Sequence, residues 1–270
     1  MDPQELDLLS GTLRKTMATT ASGAALDAAL AELGWLDLLA ELPSVAIPLV
    51  FRLLGETGTH APVINDVVGT PCLPYAGGSW VVWRRDDFSG TAMELPLQRV
   101  PESTRVPPAA LATGRRAVGW WLLGSGRAML ALARQHAVDR VQFGKPIAAF
   151  QAVRHKLAET LVALDGAEAV LRATQEGVPR ATQDAVPLAA QGGELSSLLA
   201  KAAAGQAALL AARHCQQVLG GIGFTAEHAL HHHVKRVLVL DGLLGSAREL
   251  TREAGRQVIA AGTAPRLVDL

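Results

Sequence analysis

Two short strings hold most of the residues in this 270-residue chain that could act on a ligand. The first is Arg140-Val141-Gln142-Phe143-Gly144-Lys145-Pro146-Ile147, followed by Phe150-Gln151. Gly144 can end one helix and Pro146 can occupy the first turn of the next, so the string reads as a turn between two helices with Arg140 and Gln142 beside it. Several donors at such a turn suit a diphosphate, because a guanidinium fork matches phosphate oxygens and keeps its charge. The same arginine serves as an ordinary cation near helix C-terminal carbonyls, and residue types alone leave both readings open. The second string is Gln216-Gln217-Val218-Leu219-Gly220-Gly221-Ile222-Gly223-Phe224-Thr225-Ala226-Glu227. A dinucleotide fingerprint must follow a strand, whereas this Gly-Gly-x-Gly follows an Ala-rich helical pattern, which argues against a Rossmann site. Its glycines can end a helix, let a backbone or cofactor approach closely, and release the chain into the next helix with Thr225 as its N-cap. A helix-to-helix turn without any ligand fits the same residues.

Smaller features carry less. His231-His232-His233 sit at successive positions, which on a helix point in different directions and cannot converge on one ion, so a polar helix face is expected and no metal. Asp241 is a weak candidate for a general base, since geometry must precede pKa and a charge at a helix end is usually solvated. Trp120-Trp121 are expected to anchor helix packing. The two cysteines, Cys72 and Cys215, cannot build a disulfide framework and are expected as reduced thiols of a cytosolic protein.

The elements that must position these residues are mainly helical. Apolar positions recur at helical spacing from Ala24 to Leu54, around breaks at Pro43 and Pro48, which predicts two or three helices. Between Gly58 and Pro108 prolines and glycines cluster around short β-type runs such as Trp80-Val81-Val82-Trp83. Five helices are expected after that: Ala109–Val138, Ile147–Gln175, Leu195–Leu219, Glu227–Leu240 and Leu243–Ala260. On the second, Leu157, Leu161, Leu164 and Ala167 form the expected packing stripe. Long helices joined by short turns indicate an antiparallel bundle. The division is therefore 1–62 helical, 63–108 a reduced β or irregular segment, and 109–270 a helical bundle. Twenty-five Lys and Arg balance twenty-five Asp and Glu, so charge gives no reason to expect nucleic acid or an anionic membrane. Acidic residues stand where a leader would be basic, and no apolar run reaches the length of a membrane span. A cytoplasmic location is expected.

The two strings, in this order, resemble the C-terminal domain of the acyl-CoA dehydrogenase family over about Ala109 to Ala260. A weaker echo lies in Leu33-Gly34-Trp35, Leu54-Gly55-Glu56 and Ala61-Pro62-Val63. The resemblance implies that Arg140, Gln142, Phe143, Gln151, Gln217, Gly220 and Gly221 contact the pyrophosphate and adenosine end of FAD, reaching across a subunit interface. It also exposes departures. The family's base, a Glu before a Gly-Thr pair, falls on Leu244 ahead of Gly245-Ser246, and the alternative position falls near Gly114; neither has an ionisable group. The stretch from Gly69 to Pro108 is too short for the family's β-domain. The resemblance thus implies a shortened subunit of a heteromeric, steroid side-chain type acyl-CoA dehydrogenase, completing the FAD site of a full-length homologue that supplies the catalytic Glu. Its implied partners are that homologue, an acyl-CoA and an electron-transfer acceptor. The rival expectation is a scaffold or regulatory pseudoenzyme that keeps only the helical core.

Overall fold

The computed structural model describes residues 2–85, 95–101, 103–176 and 186–262. The chain opens with α1 (Pro3–Thr19), which lies within the region 1–62 expected to be helical but before the Ala24–Leu54 stretch whose apolar spacing predicts particular helices. Its signal is local: Asp2 and Glu5 form a capping box and Pro3 sits in the first turn. Its buried stripe is thin, comprising Leu13 and Met17.

The next zone contains α2 (Ala24–Glu32), α3 (Trp35–Glu41) and α4 (Pro43–Thr57). The expected break at Pro48 does not occur, and that proline lies inside α4. Close to the helix start, it removes a single i to i−4 bond, the one to the Ser44 carbonyl, which the buried face of α4 outweighs. The short α5 (Ile64–Val68) follows. A three-stranded antiparallel meander comes next, with β1 (Cys72–Tyr75), β2 (Ser79–Trp83) and β3 (Leu97–Val100) in that order. Its inward residues Leu73, Val81, Trp83 and Leu97 are buried.

The bundle consists of α6 (Pro108–Asp139), α7 (Gln151–Glu176), α8 (Val186–Leu219), α9 (Leu230–Gly242) and α10 (Ala247–Ala261). Gly126 of α6 faces Leu164 of α7, and Gly119 faces Leu171, so the two helices run antiparallel. The α7 stripe is Leu164, Ala167 and Leu171 with the buried Thr160, while Leu161 is 42% exposed. Stepping three residues from Leu157 and not four keeps the stripe in line, so a small hydroxyl residue takes the place expected for a leucine. The Thr160 hydroxyl meets this by donating to the Lys156 carbonyl at 2.7 Å and contacting His214 Nδ1 at 3.0 Å.

The N-terminal helices are fused to the bundle at one close crossing. A Cβ on Gly55 would lie 2.4 Å from the Trp121 carbonyl oxygen, and one on Gly124 would lie 2.1 Å from that of Arg52. An aromatic column crosses the same junction, with Trp83 stacked on Trp121 at 5.8 Å and Phe51 edge-on to Trp121 at 5.8 Å. Trp121 is thus a packing anchor, as expected. The segment Gly193–Phe224 is long and apolar enough to cross a membrane, but most of it is buried inside the fold, as a core helix would be.

Candidate functional site

The up-and-down order of the helices brings the α6–α7 and α8–α9 junctions to one end of the bundle. The α9–α10 junction and the start of α6 lie at the other.

At the first end, α6 stops at Asp139 and not at Gly144. Residues 141–146 form a miniature hairpin, β4 (Val141–Gln142) paired with β5 (Lys145–Pro146). Its two-residue turn is Phe143-Gly144, with φ of 54° and 78°, the left-handed pair that a type I′ turn requires. Pro146 accordingly sits on a strand and not in the first turn of α7. A bulky residue at positive φ is strained, and Phe143 is also 91% exposed. The Ile147 amide closes the hairpin on the Arg140 carbonyl at 2.8 Å.

Arg140 is the C-cap of α6 through its backbone, whose amide donates to the His136 carbonyl at 2.9 Å. Its guanidinium is exposed and takes no hydrogen bond or ion pair among the described residues. Gln142 donates to the Val141 carbonyl at 2.7 Å, and Gln151 opens α7 with its amide 3.3 Å from His155 Nε2. Gln217 is exposed on the last turn of α8, its amide also without a partner among the described residues. Gly220 holds φ of 66°, and a Cβ on Gly221 would meet open space. Thr225 does not cap α9: it follows the 3-10 turn at Gly220–Phe224 and its hydroxyl donates back to the Ile222 carbonyl at 3.0 Å. His228 caps instead, its Nδ1 accepting from the Leu230 amide at 3.1 Å. Burial, with His228 and Arg140 facing it and Asp139 opposing them, holds the His136 imidazole below its usual pKa range.

The opposite end is closed. Leu244 is 1% exposed with φ of 61°. Its side chain occupies room that Gly114 leaves, since a Cβ on Gly114 would lie 2.9 Å from Leu244 Cδ1 and 2.7 Å from Val68 Cγ2. Leu244 and Gly114, the two positions on which the resemblance puts the family's base, therefore press against each other. The Leu244 amide donates to the Pro74 carbonyl at 2.8 Å, and Arg115 Nε donates to the Leu244 carbonyl at 3.3 Å. Asp241 accepts from the Ala247 amide at 3.0 Å, anchoring the start of α10. Beneath the turn lies Lys201, wholly buried, donating to the carbonyls of Asp241 at 2.9 Å and Gly245 at 2.5 Å. Burial pushes its pKa down to about 7. Sequence reasoning missed Lys201, although a lone cation between Leu198-Leu199-Ala200 and Ala202-Ala203-Ala204 is a visible signal. Among the described residues no three His, Cys, Asp or Glu side chains gather as a metal site requires, and neither cysteine is in a disulfide.

Residues 104–259, more than half of the chain, match the family profile described as acyl-CoA dehydrogenase, C-terminal domain. The chain belongs to the acyl-CoA dehydrogenase family. It is 37% identical over 242 residues to acyl-CoA dehydrogenase FadE34 of Mycobacterium tuberculosis, an alignment covering 79% of this chain and 31% of that protein. The chain thus spans about a third of the length of that relative. Two solved structures share its fold over nearly its whole length. One is a variant of the Tcur3481-Tcur3483 steroid ACAD, with a TM-score of 0.72 at 17% identity, covering 96% of this chain and 99% of that one. The other is the ChsE4-ChsE5 complex from Mycobacterium tuberculosis, with a TM-score of 0.71 at 15% identity, covering 98% and 99%. At these identities the likeness speaks for the fold alone.

Proposed function

We propose that the chain is the reduced subunit of a heteromeric FAD-dependent acyl-CoA dehydrogenase and completes the flavin site of a full-length partner. The observation that carries this reading is the uncommitted state of the open end. The Arg140 guanidinium and the Gln217 amide have no partner of their own among the described residues, beside a Gly221 whose Cβ position is empty. That donor set fits the diphosphate and adenosine end of FAD, where a charged fork and a close backbone approach are needed. In this reading Arg140 neutralises the pyrophosphate, Gln142, Gln151 and Gln217 orient the nucleotide by hydrogen bonds, Phe143 covers it from water, and Gly220 and Gly221 let it lie close.

What FAD supplies when bound is acceptance of the hydride that leaves the acyl β-carbon. The α-proton is removed by the partner's carboxylate, because Leu244 and Gly114 offer no base and Asp241 holds the start of α10. A bulky polycyclic acyl-CoA, such as a steroid side-chain thioester, is the proposed substrate, supported by the steroid ACAD among the fold neighbours. Electrons pass on to an electron-transfer acceptor, in a cytosolic setting. The division into a helical region (1–62), a reduced middle segment (63–108) and the bundle (109–270) belongs to the same reading.

The test is co-expression with full-length homologues. The expected result is a yellow complex that oxidises an acyl-CoA, with little FAD and no turnover in the chain purified alone. A stoichiometric flavin with turnover in the isolated homo-oligomer overturns the proposal. A complex whose flavin content is the same with and without this chain makes it a scaffold.

A further inference from the structure

The turn joining α9 to α10 is held in a conformation its own residues do not favour. Leu244, a branched residue, sits at φ of 61° and Gly245 at 100°. Backbone of this kind persists only where its surroundings over-determine it. Here they do so from four elements. Lys201 of α8 grips both ends of the turn, at the Asp241 and Gly245 carbonyls. Arg115 of α6 holds the Leu244 carbonyl, β1 accepts the Leu244 amide at Pro74, and Asp241 takes the first amide of α10.

We propose that Lys201 is a positioning residue that clamps the Asp241–Ala247 turn and seats Leu244 against Gly114, so that the chain's own base position is sealed and not merely lacking a carboxylate. This goes beyond the flavin reading and stands whether or not FAD contacts Arg140. An ammonium with no exposure to water is costly to bury, and an aliphatic side chain would fill the same space among Leu198, Ala202 and Ala204, all buried, more cheaply. What the lysine adds is reach and donors. Its two carbonyl acceptors match the two N–H groups of a neutral amine as well as they match an ammonium. The clamp can therefore lose a proton near neutral pH and keep both bonds. The charged and titratable groups facing it are Asp241 on α9, Arg115 on α6 and Glu249 on α10. Glu194 and Glu253 face Arg115 in turn, and Tyr75 on β1 faces Asp241.

The consequence concerns the whole closed end. With the clamp closed, Leu244 is a plug: its side chain fills the groove beside Gly114 and Val68, and its amide ties the turn to the sheet. A single Leu244→Glu change would place a carboxylate in that packed space without opening it.

The full chain itself provides the test. Lys201 is one of five lysines, so labelled lysine side chains can be followed by NMR across pH. Its titration midpoint is expected near 7, with the amides of Leu244 and Ala247 staying protected from hydrogen exchange on both sides of it. In Lys201→Met those two amides should exchange at least about tenfold faster, while the Ile147 amide at the other end of the bundle keeps its rate. A midpoint at the ordinary lysine value overturns the proposal, as does loss of amide protection through the titration. Equal acceleration at Ile147 and Leu244 in the variant also overturns it. Should the variant fail to fold, the titration and exchange of the unmodified chain still decide the matter.

Discussion

The two ends of the bundle treat their polar groups in opposite ways. At the α6–α7 and α8–α9 junctions, a guanidinium and an amide stand without partners among the described residues, and a phenylalanine is 91% exposed on a strained turn. At the α9–α10 junction a lysine is wholly buried, and the turn's carbonyls at 241, 244 and 245 each accept a side-chain hydrogen bond. Exposed donors that are hydrated and an exposed aromatic bring a lone chain no stability, so the first end is a surface open to a ligand or partner. The second is complete in itself. In the proposed reading, a chain that keeps the first end open and closes the second serves a neighbour's chemistry.

That contrast can be broken from the sealed end first. Lys201→Ala leaves two buried carbonyls unpaired and a cavity where a long side chain lay, and should destabilise the chain by about 3–5 kcal/mol. Chemical denaturation with unchanged stability would show that the clamp is dispensable. At the open end, Arg140→Ala should cost about 1.5–3 kcal/mol in FAD binding by the heteromeric complex, roughly ten- to a hundred-fold. The melting temperature of the chain should hardly move, because the guanidinium bonds nothing among the described residues. Measuring both on one mutant separates a flavin ligand from a helix cap, and unchanged FAD affinity removes Arg140 from the site.

A pH series sharpens the comparison further. Folding lowers the Lys201 pKa from 10.5 to about 7, so between those values the unfolded chain holds a proton that the folded chain has released. This group therefore adds stability as pH rises through that window, and none below it. Urea unfolding at pH 6 to 9 should show the wild type gaining on Lys201→Met, and a pH-independent gap would mean the lysine stays charged. The smallest expected effect is at the hairpin. Phe143→Asn places Asn-Gly in a type I′ turn, relieving strain and stabilising the chain alone by about 0.5–1 kcal/mol. The same change should weaken FAD binding or partner association. A variant that is more stable and equally able to assemble would show that Phe143 has no such role.

Much of this was legible from residue order. The five bundle helices follow from apolar periodicity and fall within a few residues of expectation, apart from the start of α8, nine residues earlier than Leu195. The resemblance carried by the two strings implied that the family's base positions fall on Leu244 and near Gly114, which have no ionisable group. The N-terminal helix was readable only from its capping box, since its apolar stripe is too thin to stand out. The open-end residues were legible as types but not as shapes. A string ending in Gly-Lys-Pro was expected to be a helix-to-helix turn, and whether it pairs with itself depends on hydrogen bonds that spacing does not encode.

The sequence by itself determined which segments are helical, where the chain is short, and which chemical groups are absent, because these are local matters of propensity, length and composition. Tertiary structure alone decided that Leu161 faces outward while Thr160 faces in, that Trp83 reaches Trp121, and that Leu244 closes on Gly114 across 130 positions of chain. It also decided that a lysine in an alanine tract ends under a turn forty residues away. Such choices depend on how helices cross, and a crossing is fixed by the shapes of two surfaces brought together, which neither surface specifies alone.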